Sequence, residues 1–244
     1  TGKPIDKYYL AIFGFWCIAT LAPWSVVHHL EGGPVPMWIP AIGTVMSIAM
    51  IFPIAVASTN FHATAFKDVG KVWDSLPLRF IIFGTLSYTI SSYIGVIFSL
   101  PAVAKLTQFS IINEFHFNQR VYGFFSMIVF GVVYHMLPKI TGKEIGKKAK
   151  SFHFWTSTLG VLILLLAYLI GGITHGVLAQ QPSLDWASSV ISSIKPYFYI
   201  TEFAFVILGF SQLVFVINVW KVLFPNPFED LGRSKKFAPK GSTA

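Results

Sequence analysis

Six long apolar runs decide what this chain can become. They lie at about residues 7–29, 37–60, 78–102, 113–137, 152–178 and 194–224. Most exceed the ~18 residues that mark a membrane-crossing helix. Charged residues make up only 11% of the chain, against about 25% in soluble domains. A soluble globular domain is therefore excluded. The expected fold class is all-α, a polytopic bundle of six transmembrane helices over residues 1–225. A basic tail follows at 226–244. Breakers sit where the runs end: Gly32, Gly33, Pro34 and Pro36 after the first, and Asp74, Ser75 and Pro77 before the third. Pro138 is expected to close the fourth run, and Pro182 separates the fifth from the sixth. Pro53, inside the second run, predicts a tolerated kink.

The net charge of +8 is distributed unevenly. Lys3 and Lys7 start the chain. Lys67, Lys71 and Arg79 occupy the second loop, and Lys139, Lys143, Lys147, Lys148 and Lys150 the fourth. Lys221, Arg233, Lys235, Lys236 and Lys240 follow the last run. The first loop has no Lys or Arg, the third has Lys105, and Lys195 borders the sixth helix. Basic residues collect on the cytoplasmic side, so both termini are expected there. Used this way, the positive charge implies a lipid bilayer as partner and no nucleic acid. The single cysteine, Cys17, excludes an internal disulfide, a Cys-based metal cluster and a CxxCH heme attachment. The first run is too long and too aromatic for a cleavable signal peptide. No internal repeat is visible, which weakens a transporter reading.

This orientation sorts the seven histidines by depth. His28 and His29 in "SVVHHLEGGPVPMWIP", His116 and His175 share the outer level. His62, His135 and His153 fall at the cytoplasmic level, where they read as interfacial anchors. Nothing near His175 in the sequence completes a site. Adjacent helical residues point about 100° apart, so His28 and His29 converge on one ion only if the helix end is distorted. Neutral imidazoles suit copper and heme iron.

Ionisable residues within spans are functional candidates. Glu114 stands at the entrance of the fourth helix and Arg120 one turn below His116. Glu202 is about two turns into the sixth. Arg120 and Glu202 have similar depth, so the simplest expectation is a buried pair between them; the other readings are a contact to a heme propionate or an element of a proton path. Ser58, Thr59, Asn60, Ser87, Tyr88, Thr89, Ser91, Ser92 and Tyr93 either join helices by hydrogen bonds or line a proton path.

These motifs resemble the C-terminal half, helices seven to twelve, of the catalytic subunit I of cbb-type (C-family) heme-copper cytochrome c oxidases. "FWCIATLAPWSVVHHL" resembles the seventh helix and "MWIPAIGTVMSIAMIFPIAVASTNFHATAF" the eighth. "VYGFFSMIVFGVVYHMLPKITGK" resembles the tenth and its exit, and "FHFWTSTLGVLI" the eleventh. The likeness covers about residues 8–225. It implies that His28 and His29 are two of three copper ligands and that His116 holds a high-spin heme b. It also implies a respiratory complex in a bacterial inner membrane, with c-type cytochrome subunits.

The chain departs from the family pattern in four ways. Asn118 replaces the low-spin heme histidine, and a carboxamide binds iron poorly. Ala22 replaces the tyrosine six residues before the pair. Arg120 replaces a glycine, where a guanidinium crowds a heme. The six N-terminal helices of the family have no counterpart, so a partner chain carrying them is expected. The short polar start and basic tail read as a complete polypeptide. Two functions follow. In one, the chain completes a heme–copper centre with its partner and reduces O₂ or NO. In the other, it is a structural or accessory subunit without a working binuclear site.

Overall fold

The structure is a computed structural model that describes Gly2 and residues 4–224. The expected tail at 226–244 lies outside the described residues. Six helices are long and apolar enough to cross a membrane: Tyr8–Leu30, Trp38–Phe66, Leu76–Phe98, Ile112–Thr141, Lys147–Ala179 and Trp186–Leu223. The protein is thus an all-α multi-pass membrane protein, as the apolar runs predict. The spans pack mainly in chain order: first on second, second on third, third on fourth, fourth on fifth and fifth on sixth.

Most differences from the sequence expectation fall at helix ends. The fifth helix begins at Lys147 rather than near 152, taking in Lys148 and Lys150. Hydropathy marks only the part of a helix inside hydrocarbon, and a helix can continue into water. Pro138 does not close the fourth span. It lies within the helix Met127–Thr141, whose end is set by Gly142 at φ 68°. The Gly142 N–H donates to Pro138 O at 2.9 Å. Glycine adopts this left-handed conformation without strain, making it the usual helix stop.

Proline shapes the second span as expected. The helix is assigned in two pieces, Trp38–Ala49 and Ile51–Phe66, joined at Met50. A proline ring clashes with the carbonyl four residues back, and for Pro53 that is Ala49, the last residue before the joint. Small residues let the other spans approach closely. A Cβ on Gly172 would lie 2.5 Å from the Ile112 backbone, and one on Gly176 would lie 2.2 Å from Leu106 O. These two glycines, four residues apart, seat the fifth helix against the start of the fourth and against the short helix Pro101–Thr107 before it.

The N-terminal turn is tied to the end of the second span. The Asp6 N–H donates to Thr64 Oγ1 at 3.1 Å and the Lys7 N–H to Asn60 Oδ1 at 2.8 Å. Asp6 also pairs with Lys67, which holds its carboxyl below the usual aspartate value. Asn60 therefore caps a helix. Thr89 donates to Ser58 Oγ at 3.0 Å, joining the second and third spans. Both bonds fit the helix-joining reading for Asn60, Ser58 and Thr89.

The largest core cluster is aromatic and sits at the Lys-rich end: Phe80, Met127, Phe130, Tyr134 and Phe154. Here the histidine expectation fails. His153 is no interfacial anchor but is fully buried at 0% exposure. Its ring lies 4.6 Å from that of Phe130, 5.1 Å from Phe80 and 5.3 Å from Phe215. Its Nδ1 meets Tyr134 Oη at 2.9 Å, and Asn218 Nδ2 donates to the same hydroxyl at 3.1 Å. The fourth, fifth and sixth spans are knotted together through these three side chains. Hydropathy sees a polar residue beside lysines and cannot see that its ring turns inward.

Candidate functional site

The first span carries Pro23 and then changes form. Tyr8–Ser25 is α-helical, and Val26–Leu30 tightens into a 3₁₀ turn. The helix end that bears the histidines is therefore distorted, and the two imidazoles lie together. Their ring centroids are 4.1 Å apart and tilted by 36°. The second span supports the turn from below. A Cβ on Gly43 would lie 2.2 Å from His28 N and 2.8 Å from His28 Cα. Only glycine lets that helix pass.

Hydrogen bonds orient His28. Its Nδ1 is 2.5 Å from Ser25 O and 3.0 Å from Ser47 Oγ, while Ser47 Oγ donates to Ser25 O at 3.3 Å. A carbonyl can only accept, so Nδ1 carries the proton and Nε2 keeps its lone pair. This is the usual arrangement of a metal-ligating histidine, whose second nitrogen donates to a backbone carbonyl. His29 is exposed; its carbonyl accepts from Gln108 Nε2 at 2.5 Å.

A cavity of about 430 Å³ opens beside His28. Ser25, His28, Ser47, Met50, Tyr88 and Arg120 are among its lining residues. The Pro53 break in the second span places Met50 there. The third span contributes Tyr88, Ser91, Ser92 and Gly95, spaced as one helix face. Ser91 Oγ is buried without a partner among the described residues. Sequence reasoning noted Tyr88, Ser91 and Ser92 but missed Ser47, Gly43 and Gly95. The i, i+4 spacing of Gly43 and Ser47, and the Tyr88–Gly95 stripe, carried the signal.

The fourth span places His116 and Arg120 differently. His116 is buried at 7% exposure, with Nδ1 unpartnered among the described residues. It does not line the cavity. Its Cε1–Nε2 edge abuts Gly95: a Cβ there would lie 2.8 Å from Cε1, 3.1 Å from Nε2 and 3.3 Å from Arg120 Nη2. The ring also lies 5.8 Å from Phe98. Asn118 Nδ2 donates to Glu114 O at 2.7 Å and to Glu114 Oε2 at 3.2 Å, so it folds back on its own helix. Beyond Asn118 the helix widens into a π-helix, Gln119–Ser126. Such segments recur at functional sites.

The expected Arg120–Glu202 pair does not form. Arg120 faces the cavity of the first four spans, whereas Glu202 is exposed on the sixth. Equal depth does not imply a shared face. His175 is structural: its Nδ1 accepts the Ile111 N–H at 3.2 Å and its ring lies 5.4 Å from Trp186.

Two family cofactors can be tested against these residues. For copper, His28 and His29 offer two adjacent imidazoles, with the His28 Nδ1 proton committed to Ser25 O. No group of three metal-binding side chains occurs among the described residues. For heme iron, the residues as packed do not fit. The ligating edge of His116 is closed by Gly95, and Arg120 occupies the adjacent space.

Comparison with known proteins places this geometry in context. A 26% identical relative over 230 residues is the cbb3-type cytochrome c oxidase subunit CcoN1 of Stutzerimonas stutzeri, covering 91% of this chain and 48% of the relative. Cytochrome c oxidase subunit 1 of Rhodobacter capsulatus is 25% identical over 236 residues, 92% of this chain and 44% of the relative. A subunit 1 homolog of Agrobacterium tumefaciens is 24% identical over 245 residues, with 97% and 45% covered. The chain spans about half the length of these relatives. The family model for cytochrome c and quinol oxidase polypeptide I matches residues 1–207, and with the six spans this shows that the chain is a divergent member of that family.

Proposed function

We propose that this chain is a half-bundle of the subunit I type in a cbb-type respiratory complex, and that it supplies His28 and His29 to a copper site completed by a partner chain. The observation that carries the reading is the convergence of the two rings at 4.1 Å, with the His28 Nδ1 proton turned toward Ser25 O. One short turn thus carries both imidazoles. Copper bound there would supply one-electron redox chemistry. The protein's own part is to hold His28 in one tautomer, through Ser25 and Ser47, and to keep the turn seated over Gly43.

The partner is a chain with the six complementary helices. The first span supports this: only 6% of its apolar window is buried within the chain. A span that packs on one neighbour and leaves most of its residues uncovered has surface to offer another subunit. The Lys-rich loops put both termini on the cytoplasmic side of a bacterial inner membrane, with the His pair on the outer side. Association with c-type cytochrome subunits belongs to the same reading.

Reduction of O₂ or NO would further require iron on His116 and Arg120 at a heme propionate. The closure of Gly95 over the His116 ring favours an accessory subunit without a working binuclear site, so we derive no reaction through heme. Copper and heme content of the purified complex tests both points. His28→Ala and His29→Ala are expected to remove copper, and His116→Ala to leave heme unchanged. Copper that persists in both His-pair variants overturns the copper site. Heme lost from His116→Ala replaces the accessory reading with the catalytic one.

A further inference from the structure

The sixth span has two faces. Thr201, Ala204, Leu208, Ser211, Asn218 and Val222 are buried, on the side that packs against the fifth span and, less extensively, the fourth. On the opposite side, Tyr199, Glu202, Val206, Gly209, Leu213, Val216 and Trp220 are all exposed. Their spacing is 3, 4, 3, 4, 3, 4, the repeat of a helix-packing seam. Lipid can cover the apolar members. It cannot satisfy Glu202, which lies seven residues, or about 10 Å, into the helix from Lys195. Among the described residues, no cation or hydrogen-bond donor reaches its carboxylate. Lys195 instead lies over the Tyr199 ring at 5.8 Å.

Charged groups inside a membrane almost always meet a partner. The seam also has room for one. A Cβ on Gly209, seven residues from Glu202 on the same stripe, would have nothing within 4 Å. Small residues on such a face admit close helix approach. A second copy docking in parallel would set two Glu202 carboxylates against each other, which charge repulsion opposes. We propose that the Tyr199–Trp220 seam docks a transmembrane helix of a different subunit, which carries a Lys or Arg at the depth of Glu202. This surface lies on the span that the cavity-lining residues leave untouched, and it does not depend on metal at the His pair.

The test uses the full chain in its native membrane, with a photo-crosslinking amino acid at Val206 or Leu213. The expected result is an adduct to one membrane-spanning chain, mapped within about one helical turn of a Lys or Arg. Glu202→Gln should lower its yield about three- to thirtyfold, as loss of an interhelical polar contact implies. Glu202→Lys combined with a Glu in place of that cation should restore it, which separates lost pairing from misfolding. Adducts only to lipid, to a second copy or to a helix without a basic residue overturn the proposal. So does a yield indifferent to Glu202→Gln.

Discussion

Histidines occur at both ends of this bundle, but in opposite circumstances. At the Lys-rich end, His153 shares Tyr134 with Asn218 inside a cage of phenylalanines. At the other end, His28 and His29 stand half-buried and exposed beside a cavity. The first arrangement uses imidazole to fasten helices. The second sets His28 in the wall of a cavity, with His29 beside it. Residue type is the same, and the difference is what surrounds the ring. A polar group in a dry core must find its partners within the chain. A polar group at a cavity can wait for something that binds.

Substitutions should separate the two ends, beginning with the largest effect. His153→Ala removes a fully buried ring and strips Tyr134 of a partner. It is expected to destabilise the bundle by about 3 kcal/mol, on the scale of large-to-small core changes, measured by denaturant titration in micelles. His28→Ala should change the same titration little while removing copper. If His28→Ala destabilises as much as His153→Ala, the contrast between the ends is broken. Gly43→Ala should come next, at about 1–3 kcal/mol, because its Cβ meets His28 backbone rather than a movable side-chain tip. It should also lower copper content, linking the glycine to the pair. Tyr134→Phe keeps the ring and deletes the hydroxyl, for about 1 kcal/mol in the same assay.

The smallest effect is a pH dependence at the start of the sixth helix. Asp185 accepts the Ser188 N–H and the Ser188 hydroxyl, both at 2.7 Å. Those bonds hold its carboxyl below its ordinary 3.8. A depressed pKa contributes stability above the unfolded value, lost as pH falls through the folded one. Amide exchange at Ser188 should therefore be protected at neutral pH and accelerate only below about pH 4. Asp185→Asn should flatten that dependence. Protection that persists unchanged to pH 2 would remove Asp185 as the cap.

The six spans were legible because lipid imposes one rule on every segment, and length and apolarity express it directly. The Pro53 break and the His pair were legible too, since proline and adjacent imidazoles carry local geometry. What stayed hidden depends on rotation about a helix axis. Arg120 and Glu202 share a depth, yet one faces a cavity and the other is exposed on the sixth span. His153 sits among lysines in sequence but points into a core. Gly95 shows no sign in sequence that it closes the edge of His116, because that contact joins two spans whose relative turn no hydropathy profile contains.

The widened turn at Gln119–Ser126 has a bearing on the whole fourth span. Ser126 Oγ donates to Val121 O, five residues back, at 2.8 Å, reinforcing the wide pitch. Above it stands His116, within it Arg120, and below it Phe130 and Tyr134. The wide turn puts the upper and lower halves out of phase, so one helix serves two neighbourhoods whose demands on angle differ. At one end of the span His116 abuts Gly95 of the third span, and at the other Tyr134 meets His153 of the fifth.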